Sequence, residues 1–243
     1  MSRIESKDIV EKICFVHLPK CGGLSFSKTL MGLYGAGHYV RFDSHKAIQE
    51  ARKLGETPNV YREKCLNELL ADPFNHCVSG HYRCSARTRR RFEDEWRFIT
   101  LLRDPVDRWF SNYFYNRFKS DGMFKHSTDL ASYIDSDRGR SMGSIYTRML
   151  SAHRDPTSEQ AIDETIANLK GFTLVGVLER GEDWQRRFEA RFGPKIELPV
   201  VNANPDPSGG NYWDEIEPDV IEEVRRICLP DRLVYDAFAS AER

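Results

Sequence analysis

The chain has 243 residues, 40% of them hydrophobic, enough to bury one full core, and residues 1–243 read as a single domain. With 36 Lys plus Arg against 37 Asp plus Glu the formal charge is −1, so no global field draws the protein to nucleic acid or a membrane surface and any anion site must be local. No apolar run approaches the roughly 18 residues that cross a bilayer, and the polar stretch 1–12 is unlike a secretory leader, which together predict a cytoplasmic protein.

In chain order, β-like runs are predicted at 13–18, 38–42, 76–81, 96–102 and 172–178, each followed by a helical pattern. Further helices are predicted at 47–54, 63–70, 128–134, 145–151, 158–169, 184–192, 218–228 and 232–241. The alternation predicts an α/β fold with a central, mostly parallel sheet flanked by helices. In such sheets the strand-to-helix turns gather on one edge, where ligands bind. Residues 201–212, VNANPDPSGGNY, are rich in turn formers and read as a surface loop, a linker or a flap. The six cysteines contain no CxxC pair, which argues against zinc and fits a reducing compartment; Cys77 and Cys84 would pair only if a targeting segment had been removed.

The first turn follows the run 13–18 as Pro19, Lys20, Cys21, Gly22, Gly23, Leu24 and Ser25, and then Phe26, Leu30 and Leu33 recur at helical spacing. Adjacent glycines let the backbone approach a ligand closely, and the free N–H groups of a helix start favour an anion. Lys20 adds a mobile positive charge and Ser25 a hydroxyl at the expected N-cap. A phosphate suits this turn. The pattern is neither a Walker A loop, whose Lys follows its glycines, nor GxGxxG; the bland alternative is an ordinary tight turn.

The second turn repeats the design in FITLLRDPVDRWFSNYFYNRF, residues 98–118: a strand, then Arg103, then Asp104 as N-cap with Pro105 opening the helix. Ser111 lies about two turns into that helix. Arg suits bidentate phosphate contact and a serine hydroxyl donates to the same oxygens, so two anion sites on one edge suggest a ligand with two phosphates. The alternative pairs Arg103 with Asp104 or Asp107. The aromatic cluster 109–118 reads as core.

HLPKCGGLSF resembles the 5′-phosphosulfate loop of sulfotransferases, and LLRDPVDRWFSNY is similar to their 3′-phosphate motif, an Arg followed eight residues later by a Ser. The resemblance is to the glycan O-sulfotransferases related to the heparan sulfate 2-O and 6-O enzymes and their bacterial relatives. SGHYR, IYTRMLSA, LVGVLERGEDW and LVYDAFA also look like that family, so it extends over most of the chain. Cys21 departs from the Thr common in the family, and a thiol donates only weakly. The resemblance implies a P-loop-type three-layer fold, and as donor 3′-phosphoadenosine 5′-phosphosulfate, held by Lys20, Cys21, Gly22, Gly23, Leu24 and Ser25 at the phosphosulfate and by Arg103 and Ser111 at the 3′-phosphate. It implies transfer of the sulfuryl group to an acceptor hydroxyl, with Gly80-His81 matching the Gly-His whose imidazole is the family's base.

Histidine suits that task because it is substantially neutral at pH 7. Lys20 would stabilise charge on the leaving oxygen. His17 is the weaker base candidate, expected to be structural. Neither the chemistry nor the spacing of acids and histidines calls for a metal. The acceptor is expected to be a carbohydrate or another hydroxylated molecule, with Tyr82, Arg83 and the stretch 129–148 as its expected contacts. Arg83, Arg87, Arg89, Arg90 and Arg91 beside His81 would receive an anionic glycan or form a solvated helix face. Asn202 and Asn204 are candidates to close over the nucleotide. The rivals are a nucleotide-dependent kinase, disfavoured by the missing Walker A Lys-Ser/Thr and magnesium acid, and a non-catalytic nucleotide-binding module.

Overall fold

The computed structural model describes residues 11–196 and 216–239. Its first half runs β1 (Lys12–Val16), α1 (Gly23–Tyr34), β2 (Tyr39–Arg41), α2 (Ser44–Lys53), α3 (Pro58–Ala71), β3 (Cys77–Gly80), α4 (Ala86–Phe92) and β4 (Trp96–Leu102). Then come α5 (Pro105–Phe118), α6 (Leu130–Asp135), α7 (Asp137–Ser141), α8 (Ile145–Leu150), α9 (Glu159–Lys170), β5 (Leu174–Val177), α10 (Gly181–Phe192), α11 (Pro218–Ile227) and α12 (Leu229–Ala239). The loop expected at 201–212, with Asn202 and Asn204, lies outside the described residues.

The five strands pair in parallel in the order β2-β3-β1-β4-β5, flanked by helices, as the alternating pattern predicts. β1 is central, and Ile13, Cys14, Phe15 and Val16 are all fully buried, the near-continuous apolar run of a strand covered on both faces. Helix starts differ most from expectation, because caps precede the apolar periodicity. Asp43 caps α2 by accepting from the amides of His45 and Lys46, both at 3.0 Å, and α3 opens at Pro58. The helix predicted at 128–134 is α6, and an unpredicted helix, α7, follows it, capped by the Ser136 hydroxyl, which accepts from the Gly139 amide at 3.0 Å. Cys77 and Cys84 are free thiols. No described helix is long and apolar enough to cross a membrane.

A second apolar cluster joins Trp109, Phe110 and Tyr113 of α5 to Tyr133, Ile134 and Val224. Between it and the sheet lies a fully buried ion pair, Arg108 Nη2 to Asp231 Oδ2 at 3.3 Å. The Asp231 carboxylate also accepts from the amides of Ile145 (2.7 Å) and Tyr146 (2.9 Å), so α12 caps α8 from inside the molecule. Arg108 further donates to the Met142 carbonyl. Asp231→Ala strands a buried guanidinium and the amides of Ile145, Tyr146 and Thr147 and is expected to cost about 3–5 kcal/mol, lowering Tm by about 10 °C in a thermal melt; an unchanged melt would show that the pair contributes little.

Candidate active site

Because all strands run parallel, their carboxyl ends meet on one edge, and a cavity of about 1880 Å³ opens there. Every strand delivers residues to its wall: His17 after β1, Arg41 and Phe42 from β2, Gly80 and His81 from β3, Arg103 after β4 and Leu178 after β5.

The turn after β1 carries Lys20 and Gly22 with positive φ (66° and 71°) on either side of Cys21. Such alternation makes a concave nest of backbone N–H groups, and it leads directly into the N-terminus of α1. The glycines are needed here: a Cβ on Gly22 would come within 2.6 Å of Leu178 Cδ1, and one on Gly23 within 2.1 Å of the His17 ring. Two expectations are corrected. The N-cap of α1 is Gly22, in the left-handed region and with no side-chain cap, while Ser25 lies within the first helical turn and still lines the cavity. The Cys21 thiol faces inward, in contact with the Pro19 carbonyl and the Tyr146 hydroxyl at 3.7 Å each, its amide donates to the Leu18 carbonyl at 3.3 Å, and Cys21 does not line the cavity.

Lys20 places its ammonium 3.9 Å from the centre of the Tyr115 ring, a cation–π contact on the cavity wall. Burial, together with the nearby Arg103, brings its pKa down to about 8. Arg103 Nη1 donates to the Lys20 carbonyl at 3.2 Å, tying the two turns together. The Tyr146 hydroxyl holds the Arg103 main chain, accepting from its N–H at 3.0 Å and donating to its carbonyl at 2.5 Å. Asp104 caps α5 as expected, its carboxylate accepting from Val106 and Asp107, and Ser111 lines the same cavity farther along that helix.

His81 follows β3 directly. Its Nδ1 lies 2.5 Å from the His17 carbonyl oxygen, which can only accept. The neutral ring therefore carries its proton on Nδ1 and keeps the Nε2 lone pair available as a base. Burial brings the His81 pKa down to about 4, so the ring is neutral across the physiological range. Arg62 Nη1 donates to the His81 carbonyl at 3.0 Å and fixes the main chain from α3. His17 is itself buried, its proton affinity pushed well down by burial and by His81, which suits the structural role expected of it.

Of the residues expected to meet the acceptor, Tyr82 and Arg83 do not line the cavity. Tyr82 is fully buried, donating to the Phe15 carbonyl at 2.7 Å, because the residue after His81 turns toward the core. Arg83 is occupied by Glu63, Nε to Oε2 at 2.6 Å. None of Arg83, Arg87, Arg89, Arg90 and Arg91 lines the cavity, and Arg89 pairs with Glu93 along α4. From 129–148, Arg138 and Arg148 do reach the wall. Arg41, Arg62, Tyr115 and Lys119 also line it, unmarked by any motif; Tyr115 sits in a run read as core, yet it is 39% exposed and carries the Lys20 ammonium. Among the described residues no group of three or more His, Cys, Asp or Glu is placed to hold a metal ion.

Parallel strands, a glycine turn opening a helix and a half-buried neutral imidazole thus meet at one edge of an α/β sheet. The profile of the Sulfotransferase family matches residues 8–188, and the chain belongs to that family, whose chemistry is sulfuryl transfer. It is similar in fold to a crystal structure of a sulfotransferase from Alicyclobacillus acidocaldarius, with a TM-score of 0.52 at 14% identity over 96% of this chain and 97% of that one. No curated protein sequence matches significantly.

Proposed function

We propose that the protein transfers the sulfuryl group of 3′-phosphoadenosine 5′-phosphosulfate to an acceptor hydroxyl, that of a carbohydrate, with His81 as general base. The observation that carries this reading is the meeting of three groups in one cavity: the N–H nest at Gly22, the Arg103 guanidinium and the neutral His81 ring. The donor's two anionic ends match the two turns. The nest, the α1 N-terminus and Lys20 would take the 5′-phosphosulfate, and Arg103 with Ser111 the 3′-phosphate. The cavity, about 1880 Å³, exceeds the ~300–1,000 Å³ usual for one ligand and leaves room for an acceptor beside the nucleotide.

Sulfuryl transfer resembles phosphoryl transfer in needing attacking and leaving oxygens in line, so most of the work is positioning and charge stabilisation. His81 Nε2 would take the hydroxyl proton as the new S–O bond forms, and the His17 carbonyl would stabilise the imidazolium through Nδ1–H. Lys20 would leave the Tyr115 face for the bridging oxygen, where charge grows as the nucleotide departs.

The test is transfer of ³⁵S from labelled donor to a panel of polysaccharides and small hydroxylated molecules, alongside a thermal shift with 3′,5′-ADP in the absence of magnesium. Stabilisation by 3′,5′-ADP and label on an acceptor are expected. Stabilisation by magnesium-ATP alone would overturn the reading in favour of a kinase; 3′,5′-ADP binding with no transfer to any acceptor would favour a non-catalytic module.

A further inference from the structure

His17 stands between the anion turn and the base. Its carbonyl holds Nδ1 of His81, and its ring centre lies 4.2 Å from that of His81 and 5.5 Å from that of Phe15. The same ring fills the space where a Cβ on Gly23 would stand, at 2.1 Å. The side chain is only 6% exposed, yet it lines the cavity. One ring is thus in contact with the first helical residue of the turn and with the base, and in a close-packed interior neither can shift without moving it.

We propose that His17 is a positioning residue, an uncharged spacer that holds the His81 ring at its working distance from the glycine turn and passes occupancy of that turn on to the base. The inference rests on the sulfotransferase reading above. The spacer has to be neutral, because a second imidazolium at this separation would oppose proton uptake by His81. The surroundings favour neutrality. Arg62 from α3, Arg41 from β2 and His45 from α2 face His81, Lys20 and Arg41 act on His17, and the His17 ring is buried while His81 is half-buried. A flat apolar ring would therefore serve as the spacer, whereas a small side chain would let water in behind the base.

The experiment is ¹⁵N NMR of the histidine rings during a pH titration, with and without 3′,5′-ADP, on wild type, His17→Ala and His17→Phe. In the wild type, His81 is expected as the Nδ1–H tautomer, titrating near pH 4, with its ring signals shifted by 3′,5′-ADP. In His17→Ala the midpoint should rise toward the ordinary ~6.5 and the 3′,5′-ADP response of His81 should be lost, although the nucleotide still binds. His17→Phe should restore both. A His81 midpoint and nucleotide response unchanged in His17→Ala would overturn the proposal, as would His17→Phe behaving like His17→Ala. Should His17→Ala fail to fold, His17→Phe decides: a wild-type titration and response support the spacer, their loss sinks it. If 3′,5′-ADP binds to none of the three, the donor reading itself fails, a result distinct from these.

Discussion

Replacing His81 with Ala is expected to lower kcat by about 10²–10⁴-fold, the usual contribution of a positioned general base, while 3′,5′-ADP affinity stays at the wild-type level. The separation follows from the architecture. The nest and Arg103 hang on β1 and β4, whereas His81 hangs on β3 and packs against His17 ahead of the turn. The pH dependence is the sharper part of the result. With a pKa near 4, His81 loses its lone pair only in acid, so kcat/KM should be level from about pH 5 to neutrality and fall below about pH 4. That acid limb should vanish in His81→Ala. Transfer at the wild-type rate would keep the enzyme class and remove His81 from its role.

Loss of the Lys20 ammonium should be comparably severe, because it acts where charge develops: a fall of about 10²–10³-fold in kcat is expected. Lys20→Gly is the better variant, since the residue has a φ of 66° and glycine adopts that conformation without strain. The N–H nest then survives, and the loss reports the charge alone. Lys20 acts when protonated and its pKa lies near 8, so kcat/KM should decline above about pH 8. Bound donor brings negative charge that favours the ammonium, so the alkaline limb of kcat should lie higher than that of kcat/KM. Coincident limbs, or a limb unmoved in Lys20→Gly, would contradict this assignment.

The sheet and its two turns were legible because each rests on local chemistry. Buried parallel strands are apolar runs such as Ile13–Val16, Gly22-Gly23 marks a backbone that needs special conformations, and Asp104-Pro105 is a helix start. The errors lie where one residue's direction depends on its neighbour. His81 and Tyr82 are adjacent, and the chain's turn sends one ring to the cavity edge and the other into the core, a choice composition does not encode. Cys21 points inward because left-handed residues stand on either side of it. Ser25 loses the cap because Gly22 already turns the chain. Arg62 and Tyr115 come from two helices whose faces toward the cavity are fixed only by long-range packing, so no short motif announces them, whereas Arg148 falls in the stretch 129–148 expected to meet the acceptor.

The strand order divides the cavity wall's tolerance of substitution unequally. The nest and Arg103 follow β1 and β4, whose pairing runs over five residues in the middle of the sheet, whereas Arg41 ends β2, an edge strand of three residues paired on one side only. A substitution near Arg41 meets one neighbouring strand, whereas one near Lys20 acts on a turn that follows the central β1 and is tied to Arg103 after β4. The wall beside β2 therefore accepts change more readily than the wall beside β1, so what the cavity grips is easier to redesign at its rim than at the glycine turn.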